Sequence, residues 1–414
     1  MPVHEVKQKI YAALNGQDGV ACLDSCECDS SFYPRSVEFI AGWEGDVIYP
    51  SSLDELYRSW ESTRAWHLGM ISYDVKNQLE HLHSENPKII ELPEIAFLIP
   101  KYIIIIDSEN RVWSNHQDIE ARVLSTIEDD ADENRLESVN WDRDKENYIQ
   151  AVDAIRNHIV EGDIYEMNLC VSARIEGYVN PLHTYKRLID HSPTPFAGYL
   201  QLGSKYAISA SPERYLNKVG QRLMSQPIKG TMPRSHDPIL DLENRERLLS
   251  SEKDRSENIM IVDLVRNDLA RCCQPGSVHV DELFGIYSFS NVHQMISSVS
   301  GQIRNDQTWV DVLQASFPMG SMTGAPKIRS MELIEHYERF QRQWYSGALG
   351  YITPTGDFDF NVMIRSLFYD SALQKGYWGV GGAITYDSDP EMEWNEVHVK
   401  ARALRSVLGT DEIS

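Results

Sequence analysis

Basic residues are scarce in this chain. Against 62 Asp and Glu it carries 39 Lys and Arg in 414 residues, a formal net charge of −23. A protein so acidic repels polyanions and anionic bilayers at long range, which argues against nucleic-acid and membrane partners. Long apolar runs are also missing. The densest cluster, Ile103, Ile104, Ile105 and Ile106, is far too short to cross a bilayer. The first residues, Met1-Pro2-Val3-His4-Glu5, lack the basic-then-apolar pattern of a secretory leader. The six cysteines fit no framework. Cys22, Cys26 and Cys28 have no second Cys or His cluster to complete a zinc spacing, Cys272 and Cys273 are adjacent, and Cys170 stands alone. Free thiols in a reducing cytoplasm are the expectation. Rossmann and P-loop glycine patterns are absent. Gly320-Ser321-Met322-Thr323-Gly324-Ala325-Pro326-Lys327 leads into a helix with Thr323 near its cap, Pro326 in its first turn and an apolar face at Ile328, Met331 and Ile334, but lacks the Gly-Lys-Ser/Thr ending.

What remains is a 42% hydrophobic, 24% charged chain, long enough for one large domain or two ordinary ones. Residues 1–130 read as short strands and loops, with a strand over 96–107 interrupted by Pro100. The acidic stretch 127–137 reads as a solvated linker or an exposed helix. Residues 141–408 form a denser, motif-rich region, and the two regions are expected to build one composite globule. Tyr148, Ala151, Ile155 and Ile159 define a helix stopped at Gly162. A strictly alternating strand follows, with Tyr165, Met167, Leu169, Val171, Ala173 and Ile175 on one side and Glu166, Asn168, Cys170, Ser172 and Arg174 on the other. The polar side faces either water or a polar cavity; alternation does not choose. A hairpin is expected over 345–368 with its turn at 353–357, then a strand over 377–386 and a last helix capped by Asp389 and Pro390. Such an order favours antiparallel sheets covered by helices.

Four groups of residues suggest chemistry. Asp254 and Glu257 are three apart in a helical segment, as are Glu393 and Glu396, so each pair shares a helix face. Converging helices would offer Mg²⁺ an oxygen-rich site; on spacing alone, two solvated acidic faces are the commoner origin of such pairs. Lys229, between Pro227 and Gly230, sits on a constrained backbone. With a reference pKa of about 10.4, on the order of 0.1% of a lysine is neutral at physiological pH, so a nucleophilic role requires desolvation or a nearby cation. Glu213 in Ser211-Pro212-Glu213-Arg214 is a general acid if held protonated in a dry site, and a surface ion pair otherwise. Arg365 and Lys400 suit a carboxylate or a structural ion pair equally.

The stretches GDIYEMNL, SPERYL, PIKGTMPR, SEKDRSENIMIVDLVRNDL, FPMGSMTGAPKIRSMELIE, YSGALGYITPTGDFDFNVMIRSL and EMEWNEVHVKA together resemble the chorismate-utilising enzymes, in family order and over residues 142–405. The resemblance implies an α+β fold of two orthogonally packed antiparallel sheets flanked by helices, in α/β/β/α layers. It implies Mg²⁺ held by Glu257 and Glu396, with Asp254 and Glu393 behind metal-bound waters. Glu213 then corresponds to the general acid for the C4 hydroxyl of chorismate. Tyr345, Arg365 and Lys400 correspond to contacts with substrate carboxylates, joined by the backbone at Gly230, Thr231, Gly381 and Gly382.

Lys229 selects among branches. The anthranilate-forming branch resembles PIAGT at this loop, whereas the branch that aminates chorismate at C4, on the way to 4-aminobenzoate and folate, resembles PIKGT. The implied reaction is attack of Lys229 at C2 with loss of the C4 hydroxyl, then attack of ammonia at C4. No glycine-flanked cysteine of the glutaminase type is present, so a separate glutamine amidotransferase subunit is the expected ammonia source. The anthranilate-forming branch is the alternative, and the isochorismate- and salicylate-forming branches stand further off. Two positions depart from the pattern: Glu166, where amine-transferring relatives show glutamine and isochorismate-forming ones lysine, and Ala383, where a third glycine is common. Cys22-Leu23-Asp24-Ser25 lies near the place of a leucine-acid-serine element that contacts tryptophan in some relatives.

Overall fold

The computed structural model describes residues 3–28, 33, 35, 37–116, 119, 123 and 133–410. Among the described residues nineteen strands join into one antiparallel hydrogen-bonded network. One half runs, neighbour to neighbour, through Arg135–Trp141, Glu166–Tyr178, Lys375–Ile384, Ser366–Asp370, Lys205–Ser211, Phe196–Leu202 and Val20–Asp24. The other runs through His67–Ile71, Ala348–Ile352, Phe358–Asn361, Arg214–Val219, Arg222–Gln226, Val292–Gln302 and His279–Ser288. The two sheets implied by the resemblance are these halves.

Two long strands, Val37–Ile48 and Ile95–Asp107, join them. Their ladder is interrupted where Glu44 and Gly45 take positive φ (51° and 106°) opposite Pro100. A Cβ on Gly45 would lie 2.3 Å from the Ile99 carbonyl oxygen, so only glycine fits. Proline removes a ladder donor at the same point. Beyond the break, residues 95–98 pair with His67–Ile71, while residues 104–106 pair with Val112–Ser114.

Each half carries a helical layer. Val3–Leu14, Lys145–Glu161, Pro181–His191 and Pro390–Leu408 cover the first half, burying Ile10, Tyr148, Leu188 and Val397 against Met167, Leu169 and Val171. Leu53–Thr63, Glu252–Ala270 and Trp309–Ser316 cover the second, with Trp60, Ile261 and Leu313 buried there. Leu200, Phe368 and Tyr377 of the first half belong to that same core, along with Met70, Leu349 and Phe360 of the second.

Local expectations meet mixed outcomes. The helix Lys145–Glu161 ends on Gly162 at φ 84°, and Pro390–Leu408 starts from Asp389 with proline in its first turn, as read. The alternating strand forms, and its polar side is buried as well, so Glu166, Asn168, Cys170 and Ser172 face the interior. Tyr165 falls outside that strand and is exposed. Residues 1–130 contain helices as well as strands, because amphipathic runs such as Leu53–Thr63 pack on the second half. Of the acidic stretch 127–137, residues 127–132 lie outside the described residues, whereas Arg135 onward forms an edge strand. The hairpin returns only over Phe358–Asn361; Ser366–Asp370 pairs elsewhere, and Arg365 lies in the link between. Thr323 spends its hydroxyl on the Met319 and Gly320 carbonyls and does not cap the helix Lys327–Tyr337, and Ile328 faces outward.

One buried ion pair ties this together. Glu338 ends the helix Lys327–Tyr337, and Arg342, four residues on, meets both its oxygens at 2.6 and 2.9 Å. Arg342 also donates to the carbonyls of Met322 (2.7 Å) and Asn168 (3.2 Å), while Glu338 accepts from the Cys170 amide at 2.9 Å. Removing one partner strands a buried charge, so Arg342→Met is expected to cost about 3–5 kcal/mol. The paired change Arg342→Met with Glu338→Leu should recover part of it. Urea unfolding of both variants measures this; equal losses would mean that the pairing itself is not what matters.

Candidate active site

Lys229 lies in the strand Ile228–Pro233, which hydrogen-bonds to Val292–Gln302. The residue is 8% exposed and forms no ion pair among the described residues. Burial pulls its pKa down, but the charges of Glu166, Glu257, Glu213 and Glu396 outweigh that and hold the ammonium form above its ordinary range. The structure therefore does not supply a lowered amine pKa by itself. Gly230 follows at φ 88°. A Cβ there would sit 2.9 Å from the Asp254 carboxylate and from Leu248, so glycine lets the Lys229 strand lie against the start of helix Glu252–Ala270. Thr231 is exposed at the outer end of the strand.

Glu213 is buried in the short link between Lys205–Ser211 and Arg214–Val219, its carbonyl accepting from the Val362 amide at 3.0 Å. Burial pushes its pKa up to about 7, against pulls from the Ser321 hydroxyl and Lys229. This carboxyl can hold a proton near neutrality, as a general acid requires. Arg222–Gln226 pairs with Arg214–Val219, and it and Ile228–Pro233 follow one another along Val292–Gln302, so the link that holds Glu213 lies beside the start of the Lys229 strand, where the Ile228 backbone also acts on its carboxyl.

The two carboxylate helices do converge. Lys253 reaches Glu393 at 3.3 Å and Glu257 at 3.9 Å, so one cation bridges both. Glu257 is buried with Oε1 lacking a hydrogen bond, and burial raises its pKa to about 7. Glu393 is buried and accepts from the Ser388 hydroxyl at 2.8 Å. Glu396, 47% exposed at its side chain, pairs with Lys400 at 2.7 Å, which lowers its pKa. A Cβ on Gly382 would meet Lys400 Nζ at 3.4 Å and an oxygen each of Glu393 and Glu396 at 3.5 Å, so three charged groups converge on one bare stretch of backbone. Lys400 also donates to the Gly381 carbonyl at 2.8 Å.

These donors suit a hard divalent cation: an orphaned buried carboxylate oxygen, further carboxylates nearby, and a lysine already drawn between them. They do not close into a tight cage, as suits Mg²⁺, which keeps several waters. The set of three ligand-type atoms within 4.8 Å of one another among the described residues is instead His158, Glu161 and Asp163. There, His158 is held by Asp163 and the Tyr337 hydroxyl, and Arg329 pairs with Asp163, so the cluster is explained without a metal.

Tyr345 is buried, its ring beneath Gly379 and its hydroxyl 3.5 Å from Cys170 Sγ. Arg365, at φ 51°, is a half-buried residue with no ion pair among the described residues, and burial alone lowers its pKa. That leaves an unoccupied planar cation for an anion. Ala383 stands opposite Asn168 in the ladder. Asp24 turns away toward the N-terminal helix, taken by Lys7 (2.7 Å) and Tyr11 (2.5 Å). Lys253, Ser388 and the Glu338–Arg342 pair escaped sequence reasoning; Lys253 precedes Asp254, and only the helix meeting reveals its reach.

A model of the family described as chorismate binding enzyme matches residues 42–406. The chain belongs to this family. It is 42% identical over 269 residues to an aminodeoxychorismate synthase of Streptomyces griseus, a match covering 64% of this chain and 37% of that protein. The chain thus spans little more than a third of that relative. It is 33% identical over 344 residues to an aminodeoxychorismate synthase component 1 of Klebsiella aerogenes, covering 81% and 76% of the two chains. The crystal structure of anthranilate synthase component I from Streptococcus pneumoniae superposes with a TM-score of 0.75 at 26% identity, over 89% and 88% of the chains. Among the described residues no helix is long and apolar enough to cross a membrane.

The Glu213 carboxyl has a testable signature. Between its ordinary pKa of 4.5 and about 7 the folded protein keeps a proton that the unfolded chain has lost, so stability falls as pH rises through that window. Glu213→Gln is neutral throughout. Its urea midpoint should gain on wild type as pH rises across the window, and parallel curves would show that Glu213 is ionised in the fold.

Proposed function

We propose that this protein aminates chorismate at C4 to 4-amino-4-deoxychorismate, with ammonia from a separate glutamine amidotransferase subunit, in the cytoplasmic synthesis of 4-aminobenzoate and folate. The observation that carries the reading is Lys229, a buried lysine without an ion pair among the described residues, in a site where Glu213 can keep its proton. The aminodeoxychorismate synthases among the relatives support it.

In this reading Arg365, Lys400 and Tyr345 hold the substrate's carboxylates, with backbone groups of Gly230, Thr231, Gly381 and Gly382. Neutral Lys229 Nζ attacks C2, the ring double bonds shift, and the C4–O bond breaks with Glu213 donating the proton that lets the hydroxyl leave as water. Ammonia then bonds to C4, the double bonds shift back, and the C2–N bond breaks with its electron pair returning to Lys229. Glu257 and Glu396 would hold Mg²⁺ directly, with Asp254 and Glu393 behind its waters. Mg²⁺ would attract the ring carboxylate and offset the negative charge that keeps Lys229 protonated. Lys229 and Glu213 between them then make and break every bond to C2 and C4 except the one formed by ammonia.

Chorismate with Mg²⁺ and ammonium at alkaline pH should yield the 4-amino product by mass spectrometry. Glutamine should replace ammonium only once a glutaminase subunit is added. Glu213→Gln should slow turnover by about 10²–10⁴-fold, Lys229→Ala should lose amination, and EDTA should silence the wild type. Anthranilate as the product would move the chain to that branch, and isochorismate or salicylate to the hydroxyl-transferring ones.

A further inference from the structure

Glu166 opens the strand Glu166–Tyr178 and is 0% exposed, yet neither of its carboxylate oxygens has a hydrogen-bond partner among the described residues. Its backbone is well held, by pairing with Ala325 and by the Ser330 hydroxyl on its carbonyl at 3.2 Å. The side chain is therefore fixed where both oxygens lack partners. Leaving buried polar atoms unpaired costs free energy that a fold tolerates only where something else satisfies them. The charge that acts on Glu166 is that of Lys229, and Glu166 in turn is the strongest charge acting on Lys229. Even so, the two form no ion pair. Glu166 and Lys229 are thus two buried side chains of opposite charge type that act on one another without an ion pair between them.

We propose that the Glu166 carboxylate is the binding site of the nitrogen donor, which it receives as the ammonium ion. The inference rests on the amination reading above. While Lys229 is bonded to the ring it cannot serve as counter-ion to Glu166, and the second nucleophile must then be present. Ammonium offers four N–H donors and a positive charge, and a carboxylate with both oxygens free offers the complement. The protons balance. Ammonium gives one proton to Glu166 and becomes ammonia, whose lone pair forms the C4–N bond as the C2–N bond to Lys229 breaks. Glu213 gave up one proton when the hydroxyl left as water. The proton now on Glu166 is its equal, and exchange through solvent after product release resets both carboxyls.

An enzyme that takes free ammonia shows an apparent KM for total ammonium that rises about tenfold for each pH unit below the ammonium pKa. With Glu166 receiving the ion, wild-type KM should stay nearly flat over that range. Glu166→Gln should show the tenfold-per-unit rise, with KM for chorismate unchanged. A second arm is independent of turnover. Rubidium, an ammonium-sized ion, soaked into crystals grown with Mg²⁺, should give an anomalous peak against the Glu166 carboxylate that Glu166→Gln lacks. Amination with the same pH dependence in both proteins and no rubidium peak would overturn the site and leave the reaction standing. A rubidium peak without any amine product would uphold the cation site and overturn the reaction.

Discussion

The arrangement depends on the buried pair between Glu338 and Arg342. Arg342 holds the carbonyls of Met322 and Asn168, Glu338 holds the amide of Cys170, and the Tyr377 hydroxyl donates to the Arg342 carbonyl at 2.9 Å. One guanidinium thus fixes the strand that begins with Glu166 against both the 320–322 turn and the segment that carries Tyr345. A hydrophobic pair of similar volume would fill the space as well, but would not specify which carbonyls meet. Because side chains alternate along a strand, a slip of one residue would turn Glu166, Asn168 and Cys170 away from the interior. The ion pair works against that slip.

Charge placement follows a second constraint. A protein of net charge −23 repels an anionic substrate at long range. The few cations at the site are accordingly set against carboxylates that leave them partly available: Lys253 between Glu257 and Glu393, Lys400 on Glu396, and Lys229 and Arg365 without an ion pair among the described residues.

Much of this was legible in the sequence, for identifiable reasons. Capping residues and the glycine stop fixed the ends of Lys145–Glu161 and Pro390–Leu408, because those signals act within one turn. Alternation found the strand Glu166–Tyr178, yet could not tell water from interior, since a strand buried on both faces keeps its period when one face is polar. The joining of the halves through Val37–Ile48 and Ile95–Asp107 was not legible, because pairing over that distance leaves no local mark beyond Gly45 and Pro100. Arg365 was placed on the wrong strand for a related reason: the strand after it pairs with Lys205–Ser211, far away in sequence, and not with its hairpin partner. The spacing of Asp254, Glu257, Glu393 and Glu396 indicated two acidic faces; that they meet is a property of the fold, and Lys253 between them shows it.

The site also accounts for the size of the scaffold. The residues of the proposed site come from separate segments at 166, 213, 229–230, 254–257, 345, 365, 381–382 and 393–400, which no short motif could bring together. Three of its carboxyls, Glu166, Glu213 and Glu257, are buried with raised pKa values, so each works against folding when ionised. Local pairing relieves this only in part: among the described residues both oxygens of Glu166 and one of Glu257 have no hydrogen-bond partner. The opposing stability has to come from elsewhere, from the two large apolar cores on either side of the first half of the sheet. A site of this kind needs rigid surroundings, because carboxyls that could swing out to water would do so and lose their protons. The same rigidity that keeps the Glu213 carboxyl away from water keeps both Glu166 oxygens without hydrogen-bond partners among the described residues, so the strain and the chemistry have one cause.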